Sequence, residues 1–202
     1  MNTIRARKQQ TRQMVQLSLL SAIIIVFQAM ALGTGAWLQT SINLTLVPIA
    51  LGAMILGPSA GAFLGAVCGV VILLCGIFNL DKFTGILFQN NPLITAAICL
   101  VKTTVAGWIA GWVYRILKNK MPLISVFIVS ALIPIINTGL FILGAFLITE
   151  TIQTEFGTGN YANVLLYIVL GLAIPGFLLE FPLNIVMSPA LKHIQKIVSK
   201  KH

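Results

Sequence analysis

The stretch Leu51–Phe78, LGAMILGPSAGAFLGAVCGVVILLCGIF, decides the fold. It contains no charged residue, and Gly57-Pro58-Ser59 cuts it with a tight-turn signal. After the turn, Gly57, Gly61, Gly65 and Gly69 recur every fourth residue. On a helix they fall on one face, where the missing side chains let a neighbouring backbone approach closely. Two apolar runs joined this way read as a helical hairpin whose solvent is lipid.

The rest of the chain agrees. Of its 202 residues, 58% are hydrophobic and only 8% are charged, and the mean hydropathy is +0.99. A soluble domain needs roughly 25% charged residues to cover its surface. A spanning helix needs about 20 apolar residues, so the length leaves no room for a separate soluble domain. The reading is an all-α membrane protein, a single six-helix domain over residues 1–202. Its spans lie roughly at 14–32, 42–56, 60–78, 92–117, 122–148 and 164–191. The second is short and carries Pro48. Between the third and fourth lies a polar stretch, 79–91, with an apolar island at Gly85-Ile86-Leu87-Phe88. Between the fifth and sixth lies the polar segment 149–163.

Charge sets the expected orientation. Eleven of the thirteen basic residues fall in three clusters: Arg5, Arg7, Lys8 and Arg12; Arg115, Lys118 and Lys120; Lys192, Lys196, Lys200 and Lys201. Six spans with both termini cytoplasmic put all three clusters inside. The outside segments then hold Asp81, Lys82, Glu150 and Glu155. Five or seven spans break this agreement. The net charge of +9 is therefore a topology signal, and no nucleic-acid partner is expected. The outside segments are long and mix aromatic residues, amides and glycine, as ligand-capturing loops do. The cytoplasmic turns are only a few residues long.

Several chemistries are excluded. Cys68, Cys75 and Cys99 sit in apolar runs with no CxxC spacing, so neither a disulfide frame nor a zinc site is expected. Gly57-Pro58-Ser59-Ala60-Gly61 matches the nucleophile-elbow pattern G-x-S-x-G. A serine nucleophile needs a base, however, and the two histidines, His193 and His202, both lie in the C-terminal tail. No P-loop, zinc-protease or dinucleotide motif is present. The expectation is no enzyme, no catalytic residue, no metal and no cofactor.

Lys102 and Glu180 are the charges at mid-depth in the spans, with Arg115 at the inner end of the fourth. An intramembrane charge is expensive and normally faces the bundle interior or a cavity. At 1.5 Å per residue Lys102 lies about 20 Å, and Glu180 about 16 Å, from the inner ends of their helices. They can form a structural pair, or Lys102 can meet an anionic ligand beside Glu180. Asn137 is also at mid-depth. Ser18 and Ala22 form a small-xxx-small pair on the first span, suited to an internal contact or a partner protein.

Val47-Pro48-Ile49-Ala50-Leu51-Gly52, Ile55-Leu56-Gly57-Pro58 and Gly61-Ala62-Phe63-Leu64-Gly65 resemble the second-to-third-helix signature of S components of energy-coupling-factor (ECF) transporters. These are vitamin-capturing membrane subunits of bacterial importers. The resemblance extends to Lys102 with Val105-Ala106-Gly107, to Asn137-Thr138 and to the stretch from Glu180 to Pro189, and is strongest to the pantothenate-type branch. Two departures stand out: Ser18-x-x-x-Ala22 replaces Ala-x-x-x-Ala, and Lys102 stands where arginine is frequent.

The resemblance implies a bacterial plasma-membrane subunit that binds a vitamin from outside. It then docks on a transmembrane coupling subunit driven by two cytoplasmic ATPases, topples, and releases the vitamin inward. It implies docking through Ser18 and Ala22, with the Gly57-Pro58 hairpin near the coupling subunit. Pantothenate has one carboxylate, an amide and two hydroxyls. Lys102 with Asn43, Gln89, Asn90, Asn137 and Thr138 would suit it, with Trp37 and Tyr161 from the outer loops. The alternatives are an S component for riboflavin, folate or cobalamin, and a self-sufficient secondary transporter.

Overall fold

A computed structural model describes residues 2–34, 44–159 and 161–199. The described residues are helical and include no strand. In chain order they form α1 (Asn2–Thr34), α2 (Leu46–Leu56), α3 (Pro58–Ile77), α4 (Lys82–Asn90), α5 (Pro92–Leu117) and α6 (Ile124–Ala145). A 3-10 turn (Phe146–Ile148) leads into α7 (Thr149–Phe156). The last rod is α8 (Val164–Leu166), a π-helical segment (Tyr167–Ala173) and α9 (Ile174–Ser199).

Five stretches are long and apolar enough to cross a membrane: Gln9–Leu32, Pro58–Ile77, Pro92–Leu117, Ile124–Phe156 and Val164–His193. This is the architecture of a multi-pass membrane protein. The second run differs from a full span. α2 has 11 residues, about 16 Å at 1.5 Å per residue, against roughly 30 Å of hydrocarbon. Leu46, Ile49, Ala50 and Ala53 on α2 are fully buried, so protein rather than lipid surrounds it.

The turn between α2 and α3 needs Gly57, whose φ is +98°, a region that side chains resist. Pro58 then opens α3 at the first helical position. The glycine face of α3 packs on α5 with the two backbones in contact. A Cβ on Gly61 would run into the carbonyl oxygen of Gly107, and one on Gly65 into that of Thr103. Thr103 adds a hydrogen bond from its Oγ1 to the Gly65 oxygen, 2.7 Å. Gly111 meets Pro58 in the same way. The two helices therefore run antiparallel, and the Gly57 and Lys118 turns share one end of the bundle, here the basic end. α4 and α7 cap the other, the loop end. One apolar core, including Leu20, Leu64, Tyr114, Val126 and Leu191, fills the basic half. A second, including Phe83, Leu87, Ile152 and Tyr167, fills the loop half.

Two of the polar stretches between spans form short helices at the loop end, α4 within 79–91 and α7 within 149–163. Asp81 caps α4: its Oδ1 accepts from the Phe83 N–H at 3.2 Å, and its Oδ2 from Thr84 Oγ1 at 2.7 Å. Phe83 and Leu87, one turn apart, then turn inward and are buried. The Asn90 side chain donates to Glu155 Oε1 at 3.4 Å, and that of Asn91 to Thr151 Oγ1. These bonds tie α4 and the start of α5 to α7.

Candidate ligand cavity

Between α3, α4, α5, α6 and the last rod lies a cavity of about 70 Å³ in the loop half of the bundle. α5 contributes Thr95, Cys99 and Lys102, spaced i, i+4, i+7 and so on one helical face. α6 contributes Asn137, Thr138 and Phe141. The last rod contributes Leu172 and Ala173 from its π-helical segment, and Gly176, Phe177 and Glu180 from α9. π-helical segments recur at functional sites because the extra residue per turn re-aims the side chains. Asp81, Phe83, Thr84 and Leu87 close the cavity from the α4 side.

Charge and hydrogen bonding inside the cavity are unequal. Lys102 and Glu180, from opposite helices, both line it. The Lys102 ammonium lies 5.3 Å from the centre of the Phe141 ring, within the range of a cation–π contact. Asn137 is 3% exposed and Thr95 is 1% exposed. Asn137 Oδ1 and Thr95 Oγ1 nevertheless have no hydrogen-bond partner. A buried polar atom without a partner costs roughly 1–3 kcal/mol, so each is a place for a polar guest. The loop-end wall is aromatic. Phe83 stacks at 5.1 Å on Phe156 and at 6.2 Å on Phe141, joining α4, α6 and α7 over the cavity.

Among the residues singled out from the sequence, the cavity brings together Lys102, Asn137 and Thr138. Gln89 and Asn90 are exposed on the far side of α4. The Gln89 side chain donates to Asn79 Oδ1 at 3.2 Å. Tyr161 packs against Tyr167, with ring centres 5.7 Å apart. Trp37 and Asn43 lie outside the described residues. Ser18 and Ala22 are exposed along α1, and Gly57 and Pro58 sit half-buried at the basic end.

Sequence reading missed Thr95, Asp81, Phe83 and Phe141 as cavity residues. Thr95 carried a usable signal, since it lies seven residues before Lys102 on the same helical face. Asp81 and Phe83 carried one only if 82–90 is taken as a helix. Among the described residues no cluster of three or more His, Cys, Asp or Glu side chains is placed to hold a metal ion.

Comparison with protein-family models, with curated proteins and with solved structures returns no match to this chain.

Proposed function

We propose that this chain is the substrate-capture membrane subunit, an S component, of an energy-coupling-factor importer. It binds a vitamin, best matched by pantothenate, from the loop end and releases it inward when docked on an ATP-driven coupling module. The observation that carries the reading is the cavity: a half-buried cation, Lys102, beside unpartnered buried polar atoms on Asn137 and Thr95, beneath the aromatic wall of α4 and α7.

Orientation follows from charge. The Lys118 turn lies at the end opposite α4 and α7, and basic residues stay cytoplasmic. The loop end then faces outside, with both termini in the cytoplasm and the bacterial plasma membrane as the site of action. In the cavity Lys102 neutralises the ligand carboxylate. Asn137, Thr138 and Thr95 meet its amide and hydroxyls, and the carboxylates of Asp81 and Glu180 accept from hydroxyl donors. Such matched polar groups reject analogues that lack a partner for one of them. The volume of about 70 Å³ is below the roughly 300–1,000 Å³ of ordinary ligand pockets. Binding therefore requires the walls to move apart, and the α4–α7 cap is the wall nearest the loop end.

The exposed Ser18–Ala22 edge of α1 and the Gly57-Pro58 turn are the proposed contacts with the coupling subunit. The ATP-binding motifs that the sequence lacks would come from the module's two ATPases. A second reading, a self-sufficient secondary transporter, draws on the ionisable groups Lys102 and Glu180 sharing one cavity.

The test is to purify the chain without added ligand, identify any co-purified small molecule by mass spectrometry, and titrate with pantothenate by calorimetry. Saturable pantothenate binding supports the reading. Tight binding of a different vitamin would keep the class and replace the ligand. Absence of any vitamin binding, or concentrative uptake by the chain alone in proteoliposomes, would sink it.

A further inference from the structure

Near the basic end, α5 turns two tryptophans and an arginine outward. Trp108, Trp112 and Arg115 are spaced i, i+4, i+7 and so lie on one helical face. Trp108 is 49% and Trp112 43% exposed, and Arg115 is exposed as well. In a multi-pass membrane chain, an open face on a spanning helix meets lipid. The three side chains are also joined to one another. The two indoles meet edge to face with centres 6.4 Å apart, and the Arg115 guanidinium lies 5.5 Å from the centre of the Trp112 ring. Lys118 and Lys120 are exposed in the turn that follows. That turn is held by the N–H groups of Lys118 and Lys120, which donate to the carbonyls of Tyr114 and Leu117 at 2.9 and 3.0 Å.

No acidic side chain balances these three cations. The chain has four acidic residues. Asp81, Glu150 and Glu155 belong to the loop end, and Glu180 lines the cavity. The negative end of the α5 dipole favours one cation in the last turn. It accounts neither for three nor for a guanidinium laid against a ring. Stacking holds the guanidinium by its face and presents its N–H edge, which suits a phosphate through two parallel bonds. At 1.5 Å per residue, Trp112 and Trp108 lie about 6 and 10 Å from Arg115 toward the loop end. A phosphate at Arg115 therefore leaves the tail attached to it running along both rings, at the depth where tryptophan marks the membrane interface. Free phosphate would engage the cations and leave the rings unused.

We propose that this face of α5 is a binding site for an anionic phospholipid. Arg115, oriented by Trp112, holds the phosphate. Lys118 and Lys120 add positive charge beside it, and Trp108 and Trp112 flank the acyl chain. The bound lipid anchors the basic end of α5 in its leaflet.

The test uses the full chain carrying Trp37→Phe, which leaves Trp108 and Trp112 as the reporting tryptophans. It is reconstituted in phosphatidylcholine vesicles with rising shares of phosphatidylglycerol or phosphatidylcholine brominated in the acyl chains. Quenching of tryptophan emission gives the relative affinity of the two lipids. Phosphatidylglycerol is expected to bind at least about fivefold more tightly, the effect of one basic residue beside an anionic headgroup. Arg115→Lys keeps the charge and loses the fork and the stack, and should cut this preference about threefold. Trp112→Leu removes the orienting ring and should do the same, with Trp108 reporting.

Equal affinity for the two lipids would overturn the site and leave the face to a protein partner or to none. So would a preference that either variant leaves intact, since diffuse positive charge alone would then explain it. Both positions are exposed, and a thermal melt checks each variant; if one melts low, the other decides. No vitamin is added, so this result and the result for pantothenate binding are read separately.

Discussion

Replacing Lys102 by methionine removes the cation from the cavity while keeping an unbranched side chain of similar length. The Lys102 ammonium lies 5.3 Å from the Phe141 ring and shares the cavity with Glu180, Asn137 and Thr95. A hydrogen bond to a charged group contributes roughly 1.5–3 kcal/mol. At 1.4 kcal/mol per tenfold, loss of the ligand carboxylate's partner should weaken pantothenate binding by about 10- to 150-fold. Methionine can still contact the Phe141 ring through its sulfur, so the packing loss is small beside this. The assay is calorimetric titration of the purified chain in detergent, with a thermal melt of each variant. A structural role predicts a different pattern. If Lys102 serves only to balance Glu180, the single variant loses stability, and removing one partner of a buried pair costs about 3–5 kcal/mol. The double variant Lys102→Met with Glu180→Gln separates the two, since it recovers stability in either case. We expect it to melt like the native chain and still bind poorly. Near-native affinity in a stable double variant would refute the ligand role of Lys102.

Gly65→Ala places a methyl group against the Thr103 carbonyl. It should lower stability by about 1–3 kcal/mol or more as α3 and α5 are forced apart, seen as a depressed melting temperature. Asp81→Ala removes both bonds that cap α4 and should cost about 0.5–2 kcal/mol. It should also speed ligand release in stopped-flow measurements, because the cap forms the cavity wall. Ala22→Trp on the exposed edge of α1 should reduce co-purification with a coupling module and leave ligand binding unchanged. Full assembly would remove α1 from the docking face.

What was legible in the sequence followed from the solvent. Runs without charge can only be buried or face lipid, so the long helices are plain in the composition. The four-residue spacing of Gly57, Gly61, Gly65 and Gly69 marks a close helix contact, though not its partner, α5. Lys102 is conspicuous because a charge in an apolar run needs a cavity or a counter-charge. The loop end was harder to read. Residues 79–91 mix polar and apolar side chains, and Asp81 decides their structure by capping a helix from outside it. Once α4 forms, its rotation sends Phe83 and Leu87 inward and Gln89 and Asn90 outward. An amide's presence in a loop says nothing of that phase. α2 is similar: eleven apolar residues give no sign that protein, rather than lipid, surrounds them.

The position of Lys102 bears on how the chain is made. α3, α4 and α5 are consecutive, and their glycine contacts let them pair as soon as they emerge from the ribosome. The walls that α6 and α9 contribute to the cavity do not yet exist then. At roughly 5–20 residues per second, Glu180 is synthesised several seconds after Lys102. During that interval a lysine sits at mid-depth in a helix facing bare lipid, at a cost of about 2.5–3.5 kcal/mol on insertion scales. The apolar remainder of α5 offsets this at about 0.3–0.6 kcal/mol for each leucine, isoleucine, phenylalanine or valine. α5 is thus the span whose entry into the bilayer has the narrowest margin. Trimming its leucines and isoleucines should cause failed insertion and degradation of the nascent chain, even at positions far from the cavity.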